Sequence, residues 1–131
     1  MSATRYPSLA EALYLHTRLL ERFGGAGGVR DLGLLESALM RPRSGYYSSL
    51  SEQAAALLQS LCQNPAFVDG NKRIAFALTA IFLRMNGYRL AVAADEGERF
   101  LVEQVIGDRA DLACIRAWLE EHMKTPRSKS G

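Results

Sequence analysis

The sequence is short of most features that announce a class of partner. It has 2 cysteines in 131 residues, too few for a disulfide framework, and Cys62 and Cys114 share no metal-ligand spacing. Both lie in apolar, helix-like stretches and read as reduced core thiols. Net charge is small: 16 Lys plus Arg stand against 14 Asp plus Glu. Three of the basic residues, Lys124, Arg127 and Lys129, fall in an acid-free terminal stretch, which leaves 13 basic and 14 acidic groups in residues 1–123. Bulk charge therefore excludes a basic nucleic-acid binder. The longest apolar run, Ile74 to Leu83 broken by Thr79, is about half the length that crosses a bilayer. The opening MSATRYPSLAEAL has no basic stretch leading into an apolar core, so no secretory signal is read, and the expected location is the bacterial cytoplasm without membrane attachment.

What is present is a helical pattern. With 48% hydrophobic and 23% charged residues, a chain of this length can bury roughly two thirds of its unfolded surface. Ser8 and Glu11 form a capping-box pattern ahead of Leu9, Ala12, Leu13, His16, Leu19, Leu20 and Phe23 at helical spacing. Gly24, Gly25, Gly27 and Gly28 end that helix, and Asp31 caps a short one closed by Arg41-Pro42-Arg43. Ser49 and Glu52 repeat the capping box before a third helix over about 51–63. The fourth, about 71–86, is apolar on nearly every face, which predicts the central helix of the domain. After Gly87, residues 88–92 read as a short strand or extended linker, followed by helices over about 95–106 and 110–123. The expected fold is all-α: one domain of about six helices over 1–123, with 124–131 as a disordered basic tail.

Chemistry concentrates at Phe67-Val68-Asp69-Gly70-Asn71-Lys72-Arg73, directly before the most apolar helix. The start of a helix offers unpaired N–H groups and a positive dipole end, so glycine and two cations there make an anion pocket. Gly70 permits close backbone approach, Arg73 can grip a phosphate bidentately, and Lys72 adds a point charge. Asp69 is the hard oxygen that Mg²⁺ prefers beside phosphates. The same residues also suit an ordinary turn and cap with two solvated cations. Against that reading stands the cost of setting four polar residues against an apolar helix with nothing bound. No GxxxxGK[ST] loop occurs, and the glycines at 24–28 lack a dinucleotide-binding context. Of the histidines, His16 on the apolar face of the first helix reads as a packed core residue, and His122 as a cation suited to a helix C-terminus.

FVDGNKR, the upstream GVRD followed by LGLLESAL, and the downstream LRMNGYRL resemble the Doc branch of the Fic/Doc family across residues 9–122. The resemblance implies a toxin of a type II toxin–antitoxin module of the kind tied to prophage maintenance and death on curing. Such a toxin transfers phosphate from ATP to a hydroxyl of elongation factor Tu and so stops translation. It further implies Mg²⁺ on Asp69, phosphates held by Asn71 and the Gly70 backbone, charge stabilised by Lys72 and Arg73, and Phe67 as buried anchor. Fic relatives with glycine where this chain has Lys72 transfer AMP instead, which stays open as an alternative.

One position departs from the pattern. The family's general-base histidine lies two residues before the phenylalanine, and here that residue is Pro65. Loss of a positioned base costs about 10²- to 10⁴-fold in rate, so the chain is expected to be catalytically impaired. A degenerate homologue that binds nucleotide or antitoxin without chemistry is the competing reading. The resemblance also implies a Phd-like antitoxin whose helix lies in a groove near the site. Arg43, Tyr46 and Tyr47, in the loop from Arg41 to Leu50, are the candidates for a flap that meets target or antitoxin.

Overall fold

The computed structural model describes residues 3–125. Local caps start the helices where the sequence places them. In α1 (Leu9–Phe23) the Ser8 hydroxyl accepts the Glu11 N–H at 3.1 Å, and the Glu11 carboxylate accepts the Ser8 N–H at 2.8 Å. Asp31 caps α2 (Leu32–Met40) by accepting the Leu34 N–H at 3.1 Å. A single 3₁₀ turn over Arg41–Arg43 follows, because Pro42 cannot continue the hydrogen-bond ladder.

Only half of the second capping box forms. Ser49 caps α3 (Leu50–Gln63) through the Glu52 N–H at 3.2 Å. The Glu52 carboxylate does not return to the backbone of Ser49, because it accepts from the Ser48 and Ser49 hydroxyls and lies 3.6 Å from Arg116 of the last helix. Beyond α4 (Asn71–Met85), strand β1 (Arg89–Leu90) leads to α5 (Ala94–Phe100), which widens into a π-helical segment over Leu101–Gly107. Asp111 caps α6 (Leu112–His122), and strand β2 (Met123–Lys124) closes the described chain. The all-α class is what forms, with six helices and one small two-stranded sheet among the described residues.

The centre of the domain is α3 rather than α4. Ala54, Ala55, Ala56, Leu57, Leu58 and Leu61 of α3 are all at most 2% exposed, and the small alanines let α2, α4 and α6 approach its axis closely. In α4, Ile74, Ala75, Leu78, Phe82 and Leu83 are buried, but Ile81 is exposed. Phe76 and Ala77, on another of its faces, line a cavity. The all-round apolarity of α4 thus serves two surfaces, one packed into the core and one left as a cavity floor.

Two further expectations change. Lys124 does not begin a disordered tail: it pairs with Arg89 as Met123 pairs with Leu90, and Ala91 N–H donates to the His122 carbonyl at 2.8 Å. Residues 126–131 lie outside the described residues. Cys62 is buried, whereas Cys114 is exposed at the start of α6, where its main chain serves the Asp111 cap. Among the described residues no helix is long and apolar enough to cross a membrane.

Burial pushes the Cys62 thiol up to about 12, so at neutral pH it holds almost no thiolate, the nucleophilic form. Native protein treated with a thiol-specific alkylating agent near neutral pH should label at Cys114 alone, with Cys62 reacting only after denaturation. Mass spectrometry of the labelled peptides checks this.

Candidate functional site

The turn between α3 and α4 is held by one side chain. Asn71 Oδ1 accepts the Phe67 N–H at 3.0 Å, and Asn71 Nδ2 donates to the Phe67 carbonyl, also at 3.0 Å. Phe67 is buried at 2% exposure, so its main-chain groups need these partners. Asn71, read from sequence as a phosphate holder, therefore spends its amide on closing the loop. Gly70 precedes the helix in the left-handed region, with φ of 77°, a conformation that costs other L-residues about 1–2 kcal/mol.

Asp69 points its carboxylate back over this loop. Oδ1 accepts the Gly70 N–H at 2.8 Å and Oδ2 accepts the Ala26 N–H at 3.2 Å. These two donors, Gly70 first, hold its pKa below the ordinary carboxylate value, with smaller contributions from Arg73 and His16 opposing the effect of desolvation. The result is an ionised, solvent-accessible oxygen pair. Close approach of the segment carrying Ala26 depends on Gly25, since a Cβ there would meet Asp69 Oδ2 at 2.8 Å.

No side chain caps the N-terminus of α4, which leaves its first N–H groups open to an anion. Lys72 and Arg73 are exposed beside it, and neither forms a salt bridge among the described residues. The Arg73 guanidinium rests over the Phe23 ring, 4.5 Å from its centroid. Asp69, Gly70, Lys72 and Arg73 open onto a cavity of about 780 Å³ whose floor is Phe76 and Ala77 and whose far wall carries Asp95 and Glu98 of α5. That wall stands close because Gly97 has no side chain; a Cβ there would meet the Phe76 ring at 2.5 Å.

Pro65 does not line this cavity. Its carbonyl accepts from the Arg30 guanidinium, and the Ala66 carbonyl accepts the N–H groups of Arg30 and Asp31 at 2.7 and 3.0 Å. Val68 N–H donates to the Gly28 carbonyl at 3.1 Å, and Val29 bridges antiparallel to Phe67. The strap beside the loop is therefore 24–31. Arg43, Tyr46 and Tyr47 are not brought to it: Arg43 lies over the Tyr6 ring, the Tyr47 hydroxyl accepts from Arg41, and Tyr46 projects into solvent.

His16 is the residue that sequence reading left out of the site. Its Nε2 is 2.8 Å from the Asp69 carbonyl, and its ring stacks on Phe67 with centroids 3.7 Å apart. The helical spacing placed it on the apolar face, and no sequence signal showed that this face meets the loop. His122 is remote, bonded to the Trp118 carbonyl and near Glu96.

Fold and loop together define a small all-helical domain with an uncapped helix N-terminus flanked by one ionised carboxylate and by two cations that form no salt bridge among the described residues. The chain belongs to the Fic/DOC family, whose model matches residues 6–83. It is 45% identical over 103 residues to "Toxin Doc" of Mycolicibacterium smegmatis, covering 74% of this chain and 79% of that protein. It is 33% identical over 90 residues to "Protein kinase doc" of Escherichia phage P1, covering 66% of this chain and 71% of that one.

Replacing Asn71 by Ala should destabilise the fold by about 1–3 kcal/mol, because the buried Phe67 N–H and carbonyl lose their partners. Asn71→Asp keeps the accepting half but sets a second acceptor against the Phe67 carbonyl, so it should be no more stable than Asn71→Ala. Urea denaturation midpoints of the three proteins check the order.

Proposed function

We propose that this chain is the toxin of a toxin–antitoxin pair, with a site built to pass a phosphoryl group from ATP to a protein hydroxyl. The observation that carries the proposal is the uncapped start of α4, open to a cavity of about 780 Å³ between unpaired Lys72 and Arg73 and ionised Asp69. The names of the two relatives, a toxin and a protein kinase, support the same reading.

In this proposal the open main-chain N–H groups of the first turn of α4, from Asn71 on, and the two cations bind the phosphates and stabilise the charge that develops on them, while the Gly70 N–H stays with Asp69 Oδ1. Arg73 is free to move from the Phe23 ring onto a phosphate, exchanging a cation–π contact for charge-assisted hydrogen bonds. Asp69 is the protein ligand this reading offers to Mg²⁺, and among the described residues no group of three or more His, Cys, Asp or Glu side chains could hold a metal ion. A single carboxylate suits an ion that keeps several waters and shares the substrate's phosphates. When bound, Mg²⁺ supplies neutralisation of phosphate charge. Transfer forms a bond from the target hydroxyl oxygen to the γ-phosphorus and breaks the bond to ADP, and the hydroxyl proton needs an acceptor.

Pro65 offers none, and His16 cannot substitute, since it is 4% exposed and its Nε2 is already bonded. The chain is therefore proposed to bind nucleotide and antitoxin while transferring phosphate about 10²- to 10⁴-fold more slowly than a histidine-bearing equivalent. Lys72, in place of a second glycine, favours phosphate over AMP transfer by family resemblance. Elongation factor Tu as target, a Phd-like antitoxin as partner and a cytoplasmic setting rest on that same resemblance. Phe23, Val29 and Val68, exposed around the loop, are the apolar contacts available to an antitoxin helix.

Expression of Pro65→His in bacteria should arrest growth where the present chain does not, and the purified variant should label elongation factor Tu from γ-³²P-ATP. A harmless variant that also transfers no label would remove the transferase reading. In calorimetry with ATP and Mg²⁺, Arg73→Ala should bind about tenfold or more weakly than the unmodified chain, given the ~1.5–3 kcal/mol of a hydrogen bond to a charged group. Equal affinities would show that the anion pocket is misplaced.

A further inference from the structure

We infer that His16 is a positioning residue that locks the Asp69–Gly70 peptide of the phosphate loop in one orientation. The inference rests on the nucleotide-binding reading of the loop and adds to it a residue from a different helix, more than fifty positions away in sequence. His16 is the only buried side chain of α1 with ring nitrogens to satisfy, at 4% exposure. The Asp69 carbonyl, 2.8 Å away, can only accept, so Nε2 carries the hydrogen in this contact. The ring cannot swing away, because it is stacked on Phe67 at 3.7 Å with the planes 18° apart. Phe67 is in turn tied at both main-chain groups by Asn71.

The peptide so gripped is the weakest point of the loop. Gly70 has no Cβ and sits at φ of 77°, so rotation of the 69–70 peptide meets little steric resistance. Turning it over would move the Asp69 carbonyl away from α1 and withdraw the Gly70 N–H from Asp69 Oδ1, a 2.8 Å bond. The loop would then turn a carbonyl oxygen toward Asp69, and Asp69 would lose one of the two N–H groups that orient its carboxylate. His16 opposes that rotation from outside through its hydrogen bond to the Asp69 carbonyl, with its ring lying beside Gly70, where a Cβ would be in ordinary van der Waals contact at 3.5 Å from Nε2. Positioning by a group outside the reacting set is how a phosphate site keeps its donors aimed before the ligand arrives.

The test compares His16→Gln, which retains an N–H donor, with His16→Leu, which retains apolar packing without one. Amide hydrogen exchange at Gly70 and Ala26, the two donors to Asp69, is read by NMR on the full chain, together with thermal midpoint and calorimetric affinity for ATP with Mg²⁺. His16→Leu should exchange faster at both amides and bind about five- to tenfold more weakly, and His16→Gln should recover both. Unchanged exchange at Gly70 and Ala26 in a folded His16→Leu protein would overturn the inference, whatever its thermal midpoint. Equal loss in both variants would also overturn it, since the donor would then not be what matters. Absence of any ATP affinity in the unmodified chain would instead count against the nucleotide reading, and the exchange comparison would still decide the role of His16.

Discussion

Two hydrogen bonds between the Asn71 side chain and the Phe67 main chain close the turn that joins α3 to α4. Those helices form the packed middle of the domain, and the angle at which one leaves the other depends on that turn. The same closure lifts Asp69 and Gly70 to the surface and starts α4 without a side-chain cap. A conventional N-cap serine or aspartate would satisfy one of the first N–H groups of the helix and close the end that is open here. Stability at this turn is supplied from inside the loop, by Asn71, so that the helix end remains open.

The apolar character of α4 has the same double purpose. Ile74, Ala75, Leu78, Phe82 and Leu83 are buried against the core, while Phe76 and Ala77 floor the cavity next to Lys72 and Arg73. Apolar walls beside charged groups lower the local dielectric and strengthen any charge-assisted hydrogen bond formed there. The strap over 24–31 is tied to the loop through main-chain hydrogen bonds to Ala66 and Val68 and through Ala26 to Asp69. Its glycines serve approach distance, as Gly25 shows at Asp69.

Helix starts were legible because each cap is decided within four residues. Ser8, Asp31 and Ser49 occupy the N-cap positions their spacing indicates. The motif from Phe67 to Arg73 was legible for the same reason, being contiguous, and the likeness to a known family rested on it. Wherever a residue's role depended on a distant partner, local reading went astray. Glu52 left its capping box for Arg116, Cys114 faced outward, and Lys124 joined a strand with Arg89.

By itself, the sequence determined the all-helical class, the helix starts and the glycine, carboxylate and two cations gathered before α4. Each follows from periodicity, capping or side-chain chemistry over a few neighbouring residues. Tertiary structure alone decided that α3 occupies the centre, that Asn71 closes the loop, that the segment over 24–31 is the strap, and that His16 reaches Asp69. These depend on which helix faces meet, and an apolar stripe specifies only that a face is covered, leaving the identity of the covering element to packing.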